Sequence, residues 1–267
     1  MQLSRRVALG GVQLDAANSA IVIRGVESAD GKESISAVSS AAGFGQRVTG
    51  ARRDTVDIIV RFAIDIRKTN LSGRASALED ANAWAARAID GAWMTVNYRT
   101  DRRIWVKLVQ APGEGNIRDW TKDFAMTFRA YSCPYWEDAA ESTKSAAAGS
   151  SGLESITIGG SAPAQINITA VNGSGSTVDE ISITSGGKTM GFADLGLLNG
   201  ETLYIDHDDT GLVRIRIKNS SDVYRSAMGK RTSASDDDFV TNPGTVSFLY
   251  TADHSVTVTA GWRARYL

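Results

Sequence analysis

From residue 56 to residue 66 every second residue is a large apolar one. Val56, Ile58, Val60, Phe62, Ile64 and Ile66 fall on one side, and Asp57, Arg61, Asp65 and Arg67 fall on the other. A period of two over that length fits an extended strand with one apolar and one charged face. A helix of 3.6 residues per turn would scatter both sets. Such a strand needs a core beneath it and partners beside it. The neighbouring sequence supplies them: Ile104, Val106 and Leu108 alternate, as do Phe124, Met126, Phe128 and Ala130, and residues 93–98 and 21–26 read as further strands. One helix is predicted among them, over about 77–90. Ser76 and Glu79 have the spacing of a capping box, Leu78, Ala81, Ala85, Ala88 and Ile89 share one face, and Gly91 follows.

The pattern breaks at residues 138–152, a run of small and charged residues with no large apolar side chain to bury. It reads as a linker. Beyond it the strands are shorter. Ile156/Ile158, Ile166/Ile168, Ile181/Ile183, Leu203/Ile205, Val213/Ile215/Ile217, Val246/Phe248/Tyr250 and Val256/Val258/Trp262 each alternate. Turn signals such as Asn172-Gly173, Gly186-Gly187, Asn199-Gly200 and Pro243-Gly244 separate them, which predicts an antiparallel sandwich or jelly roll. The expected organisation is mainly β. A sheet domain with one helix occupies 1–137, a linker 138–152 and a β-sandwich 153–267, whose last strand is free to return to the first domain.

With 267 residues, 42% hydrophobic and 22% charged, the chain has material for two cores. No apolar run reaches the ~20 residues of a bilayer span, so no membrane insertion is expected, and residues 7–12 are too short and glycine-rich for a signal peptide. The single cysteine, Cys133, excludes an intramolecular disulfide and reads as a small buried residue. The net charge of −1 hides an asymmetry. Residues 1–137 hold 19 Lys and Arg against 15 Asp and Glu, a net of +4; residues 138–267 hold 10 against 15, a net of −5. Neither half has the basic stripe that phosphate recognition needs.

Candidates for chemistry are few. His207 sits in Asp206-His207-Asp208-Asp209 and His254 follows Asp253. Histidines beside acids in turns read as solvated rather than metal-binding. Asp236, Asp237 and Asp238 lack the alternating spacing and closing Glu of a calcium loop. There is no Gly-x-Ser-x-Gly elbow, and no helix pattern follows Gly173-Ser174-Gly175 to make a phosphate loop. No catalytic residue, metal site or cofactor is expected. The aromatic residues of the second half, Tyr204, Tyr224, Tyr250, Trp262 and Tyr266, read mostly as core, with one or two free to form a contact platform.

Taken in order, these features resemble the distal tail (Dit) proteins of bacteriophages with long flexible tails. The resemblance rests on Gly50-Ala51-Arg52-Arg53-Asp54 leading into the long strand, the helix ending near Gly91, the strand pair that follows, Trp120, and above all Pro134-Tyr135-Trp136. In the second half it rests on Ile156-Thr157-Ile158-Gly159-Gly160, Gly200-Glu201-Thr202-Leu203-Tyr204-Ile205-Asp206 and Trp262-Arg263-Ala264-Arg265-Tyr266-Leu267. It covers the chain from about residue 40 onward.

The resemblance implies a ring-forming N-terminal domain of sandwich or split-barrel type and a galectin-like C-terminal sandwich. It also implies a homohexameric ring at the distal end of the virion tail, assembled in the host cytoplasm. Such a ring joins the tail tube protein to the tail-tip or hub protein, with the tape measure protein and DNA passing through. Arg52, Arg53, Asp57, Arg61, Asp65 and Arg67 are then the ring-interface candidates. Tyr204 and Tyr224 are candidates for contact with a receptor-binding protein or cell-wall carbohydrate. The alternatives are a carbohydrate- or receptor-binding tail protein whose sandwich is the functional part, and a cell-wall hydrolase subunit.

Overall fold

The alternation at 55–67 becomes strand in the computed structural model of the chain. The structure describes residues 6–28, 33–39, 46–53, 55–65, 67–113, 124–131, 134–208 and 211–267. Asp54, Ile66, Trp120, Cys133 and Asp209 lie outside the described residues. The chain divides into two units, Met1–Trp136 and Glu137–Leu267. It is mainly β, as expected.

The first unit contains β1 (Val7–Leu9), β2 (Val12–Gln13), α1 (Leu14–Ala17), β3 (Ile21–Ser28), β4 (Glu33–Ser39), β5 (Gln46–Arg53) and β6 (Val56–Ile64). After these come α2 (Leu71–Ala86), β7 (Ala92–Val96), β8 (Arg99–Gln110) and β9 (Phe124–Ala130). One antiparallel sheet runs in the order β2-β1-β7-β8-β9-β6-β3, while β4 and β5 form a separate two-stranded ladder. On β6 the residues Val56, Ile58, Val60, Phe62 and Ile64 are buried, and Phe62 stacks on Phe124 at 5.4 Å. Each such side chain contributes about 1.5–3 kcal/mol when fully removed from water.

Helix α2 begins six residues earlier than Ala77. Asn70 is its cap: extended at φ −87°, ψ −175°, it accepts the Gly73 amide on its side-chain oxygen at 2.9 Å. Ser76 and Glu79 therefore lie inside the helix, and the capping-box reading is corrected. A Cβ at Gly73 would sit 2.0 Å from Thr69 Oγ1, so glycine there is what lets the cap close. The buried stripe is Ala77, Leu78, Ala81, Trp84 and Ala85. Trp84 meets Phe128 edge-on at 5.9 Å and donates from Nε1 to the Val12 carbonyl at 2.8 Å. Ile89, expected on that stripe, is 60% exposed because it lies in the turn after the helix ends.

Strand β10 (Trp136–Asp138) spans the boundary, and the second unit goes on with β11 (Ser142–Ser145), β12 (Gly149–Ile158), β13 (Ala164–Asn172), β14 (Ile181–Ser185) and β15 (Lys188–Phe192). It continues with β16 (Thr202–His207), β17 (Val213–Lys218), β18 (Tyr224–Ser226), β19 (Val240–Thr241), β20 (Gly244–Trp262) and β21 (Arg265–Tyr266). The strand order is β15-β14-β20-β13-β16-β17-β18, with β11 and β12 also on β20. The expected isoleucine, leucine and valine positions form the core, together with Phe248 and Tyr250.

Two readings are corrected here. Residues 138–152 are not a linker. Ser142 to Ser145 pair with Trp262 to Thr259, and Gly149 to Gly152 join β12 on the same partner. A run of small residues buries little side chain, but its backbone groups are satisfied in the ladder, which composition does not reveal. Second, residues 246–250 and 256–262 are not separate hairpin strands around His254. They form one strand, β20, whose first part pairs with β12 and β14 and whose last part pairs with β11 and β13. The buried Tyr250 hydroxyl holds the irregularity between the two parts, 2.8 Å from the Ala147 carbonyl and 3.3 Å from those of Gly149 and Val256. A Cβ at Gly152 would meet the Tyr250 ring at 2.4 Å, so the tyrosine fits only over a glycine.

Candidate interaction surfaces

The charged side of β6 does not present free charges. Asp57 faces Arg129 across the β6–β9 ladder, and the guanidinium grips the carboxylate twice, Nε to Oδ1 at 2.5 Å and Nη2 to Oδ2 at 2.7 Å. That grip holds Asp57 below the usual carboxylate range and raises Arg129. Arg61 likewise holds Glu27 of β3 at 2.9 and 3.4 Å. Asp65 accepts the Arg67 amide at 3.0 Å and Nε at 3.2 Å, which lowers its pKa, while the Arg67 side chain stays 86% exposed. Arg52 and Arg53 lie on β5, in register with Ser34 and Glu33 of β4, on a ladder separate from that of β6. The six candidates are thus divided between two ladders. Four sit on or just after β6, paired within the chain, and two lie on the separate ladder.

Tyr204 of β16 and Tyr224 of β18 do come together, ring centroids 6.0 Å apart at 60°. Arg216 of β17 lies over the Tyr224 ring at 4.6 Å and binds Asp206 at 2.6 Å, and Asp206 also takes both prongs of Arg214 at 3.3 Å. Alternation places all of these on the outward face, because Leu203, Ile205, Ile215 and Ile217 point inward. The edge strand β18 is fixed by Arg225, which pairs with the nearly buried Glu201 and donates to the Gly196 carbonyl at 2.7 Å. Arg225 holds the Glu201 carboxyl below its ordinary range.

The acidic run is structural. Asp236 accepts the Thr189 amide at 2.6 Å, Ser235 Oγ accepts that of Gly191 at 2.9 Å, and the amides of Thr232 and Asp236 donate back to β15 carbonyls. Arg231 and Lys188 neutralise Asp237 and Asp238. The loop therefore covers the outer edge of β15, a protection that exposed strand edges need. His254 is exposed. His207 is partly buried, its Nδ1 is 3.1 Å from Asn167 Oδ1, and burial together with Arg265 pushes its pKa down to about 4.

Sequence reading missed one aromatic feature of the first unit. Trp93 and Trp105 face each other across β7 and β8 with centroids 5.3 Å apart, and Arg103 lies over Trp93 at 3.7 Å. The alternation of β8 carried the signal, since Arg103 and Trp105 stand opposite the buried Ile104 and Val106.

No family profile matches the sequence, and no curated protein matches it. The solved structures do give likenesses. The fold is that of phage tail hub and baseplate components. SPP1 Dit (gp 19.1), described as a paradigm of the hub adsorption apparatus of phages infecting Gram-positive bacteria, superposes with a TM-score of 0.69 over 98% of this chain and 99% of that chain, at 15% identity. A chain of the phage P2 baseplate in its activated conformation with Ca gives a TM-score of 0.51 over 97% of this chain and 98% of that one, at 8% identity. At such identities what is shared is the fold.

Proposed function

We propose that this chain is a structural component of a phage tail, a distal tail protein that forms a homohexameric ring between the tail tube and the tip or baseplate. The observation that carries the reading is the end-to-end likeness to a Dit hub protein, which spans both units rather than a single β domain. The first unit suits it. Strand β3 ends the sheet order, so its outer edge has no partner strand among the described residues, and rotation of identical copies covers such an edge. The internally paired charges beside it leave a polar, near-neutral face past which DNA can move without being held. The tube, hub and tape measure proteins are the partners this role requires, the distal end of the virion tail is its location, and the role needs no catalysis.

Six copies of a 28.5 kDa chain come to about 171 kDa. Negative-stain imaging and light scattering of the purified protein, alone and with its tail tube partner, test the reading. A six-fold ring with a central hole is expected, and a closed dimer or trimer under both conditions overturns it. A second reading, in which the outer face of the sandwich binds a receptor-binding protein or a cell-wall glycan, is favoured by the Tyr204–Tyr224–Arg216 cluster. It predicts that Tyr224→Ala impairs adsorption while leaving assembly intact.

A further inference from the structure

On the outer face of β14, β15 and β20, one rung crosses three strands: Thr251 is in register with Ser182, and Ser182 with Gly191. The glycine leaves a gap in the rung. A Cβ at Gly191 would approach Thr232 Oγ1 to 3.0 Å, and the loop carrying Thr232 rises beside the gap. The result is an open cleft of about 500 Å³, within the range of small-ligand sites. At its end the Asp253 amide donates to the Glu180 carbonyl at 3.1 Å, so Glu180, just before β14, stands opposite Asp253 of β20. Like charges placed opposite each other across a ladder are destabilising. No cation lines the cleft. The Asp179 amide takes one Asp253 oxygen at 2.9 Å, and the Glu180 carboxylate has no hydrogen bond or ion pair among the described residues.

Two carboxylates at one end, the unpaired hydroxyls of Ser182 and Thr251, and no positive charge make an acceptor-rich site suited to a donor-rich ligand. We propose that this cleft binds a non-anionic saccharide unit, a hexose or amino sugar, whose vicinal hydroxyl or ammonium donors bridge Glu180 and Asp253 while its ring fills the gap above Gly191. Anionic sugars and polyol phosphates are excluded by the same carboxylates. The inference rests on the glycan-contact reading of the second unit and is independent of ring assembly. It places the contact on β14, β15 and β20, whereas Tyr204 and Tyr224 lie on β16 and β18.

Saturation-transfer NMR on the full chain tests it, with methyl glucoside, methyl galactoside, methyl N-acetylglucosaminide, methyl glucosaminide and an oligomer of glycerol phosphate as probes. Transfer to at least one glycoside is expected, with none to glycerol phosphate. Gly191→Val fills the gap and should abolish transfer; Glu180→Gln should weaken binding about tenfold, equivalent to about 1.4 kcal/mol. Tyr224→Ala should leave it unchanged. If Gly191→Val does not keep the parent circular dichroism and Tm, Thr251→Arg on the exposed strand face blocks the same cleft. A preference for methyl glucosaminide identifies an ammonium donor, and equal binding of neutral glycosides identifies hydroxyl donors. Transfer that survives the cleft variants but is lost in Tyr224→Ala overturns this site and keeps the glycan reading. No transfer to any glycoside overturns both, and preferred binding of glycerol phosphate overturns the proposed chemistry.

Discussion

His207 stands between Asp206 and Asp208, and adjacent acids alone would favour its charged form. The fold reverses that. Burial and Arg265, brought close from the C-terminal end of the sequence, outweigh Asp238, Asp206 and Asp208, and the imidazole stays neutral down to about pH 4. This was not legible because the burial that dominates, and the cation that adds to it, both come from parts of the chain remote in sequence. The stability consequence has a definite sign. Between pH 6.5 and 4 the unfolded chain binds a proton that the folded chain refuses, so stability falls as pH falls, by on the order of 3 kcal/mol across the window. Urea unfolding at pH 7, 5.5 and 4 should show this slope, and His207→Gln should flatten it. Tyr250 is a second residue whose role only the fold reveals. Its alternation with Phe248 marks it as core, but nothing in the sequence says that its hydroxyl reaches the Ala147 carbonyl. Tyr250→Phe should cost about 1 kcal/mol in the same assay, and retention of full stability would show that the hydroxyl is dispensable.

At the scale of elements, the strands were the legible part, because a half-buried strand writes its two faces into alternate residues. Strand β6 shows this, as do β13 and β17. Caps and connections were less legible. Ser76 and Glu79 mimic a helix start, while Asn70, followed by a glycine three residues on, looks like a loop until the cap bond is seen. Asn70→Ala should destabilise the first unit by about 1 kcal/mol, read from its thermal transition. Strand β11 was hidden for a different reason. Ser, Thr and Lys carry no apolar period, and only the ladder with Trp262 to Thr259 defines the element. Native-state hydrogen exchange should therefore be slower at the ladder amides of 142–145 than at Ser174 and Ser176 in the turn after β13, and equal rates would restore the linker reading. Of the candidate sites, the Tyr204–Tyr224 pair was reachable because two outward positions on nearby strands must meet. The Gly191 cleft was not, because an absent side chain leaves no pattern.

For the whole molecule, the revised boundary has a direct test. A chain of residues 137–267 keeps β11 and all of β12, whereas one of 153–267 loses the first and truncates the second. The longer piece should unfold cooperatively, and the shorter should be less stable or fail to fold. Equal stability would show that 137–152 contributes nothing to the second unit. The proposed glycan contact can then be tested on the longer piece, since the proposed cleft and the Tyr204–Tyr224 cluster both lie in the second unit.

Strand β20 has a consequence for how the protein is made. It is the common partner of β11, β12, β13 and β14, yet it is reached only at Gly244. While the chain emerges from the ribosome, local hairpins such as β14–β15 and β16–β17 can form, but β14 cannot be joined to β13 until Gly244–Trp262 has been synthesised. Folding of the second unit is thus a late event with a single gate. A polypeptide released before that gate leaves four strands without their shared neighbour. Such a fragment exposes unpaired backbone groups, which makes it the form most open to proteolysis.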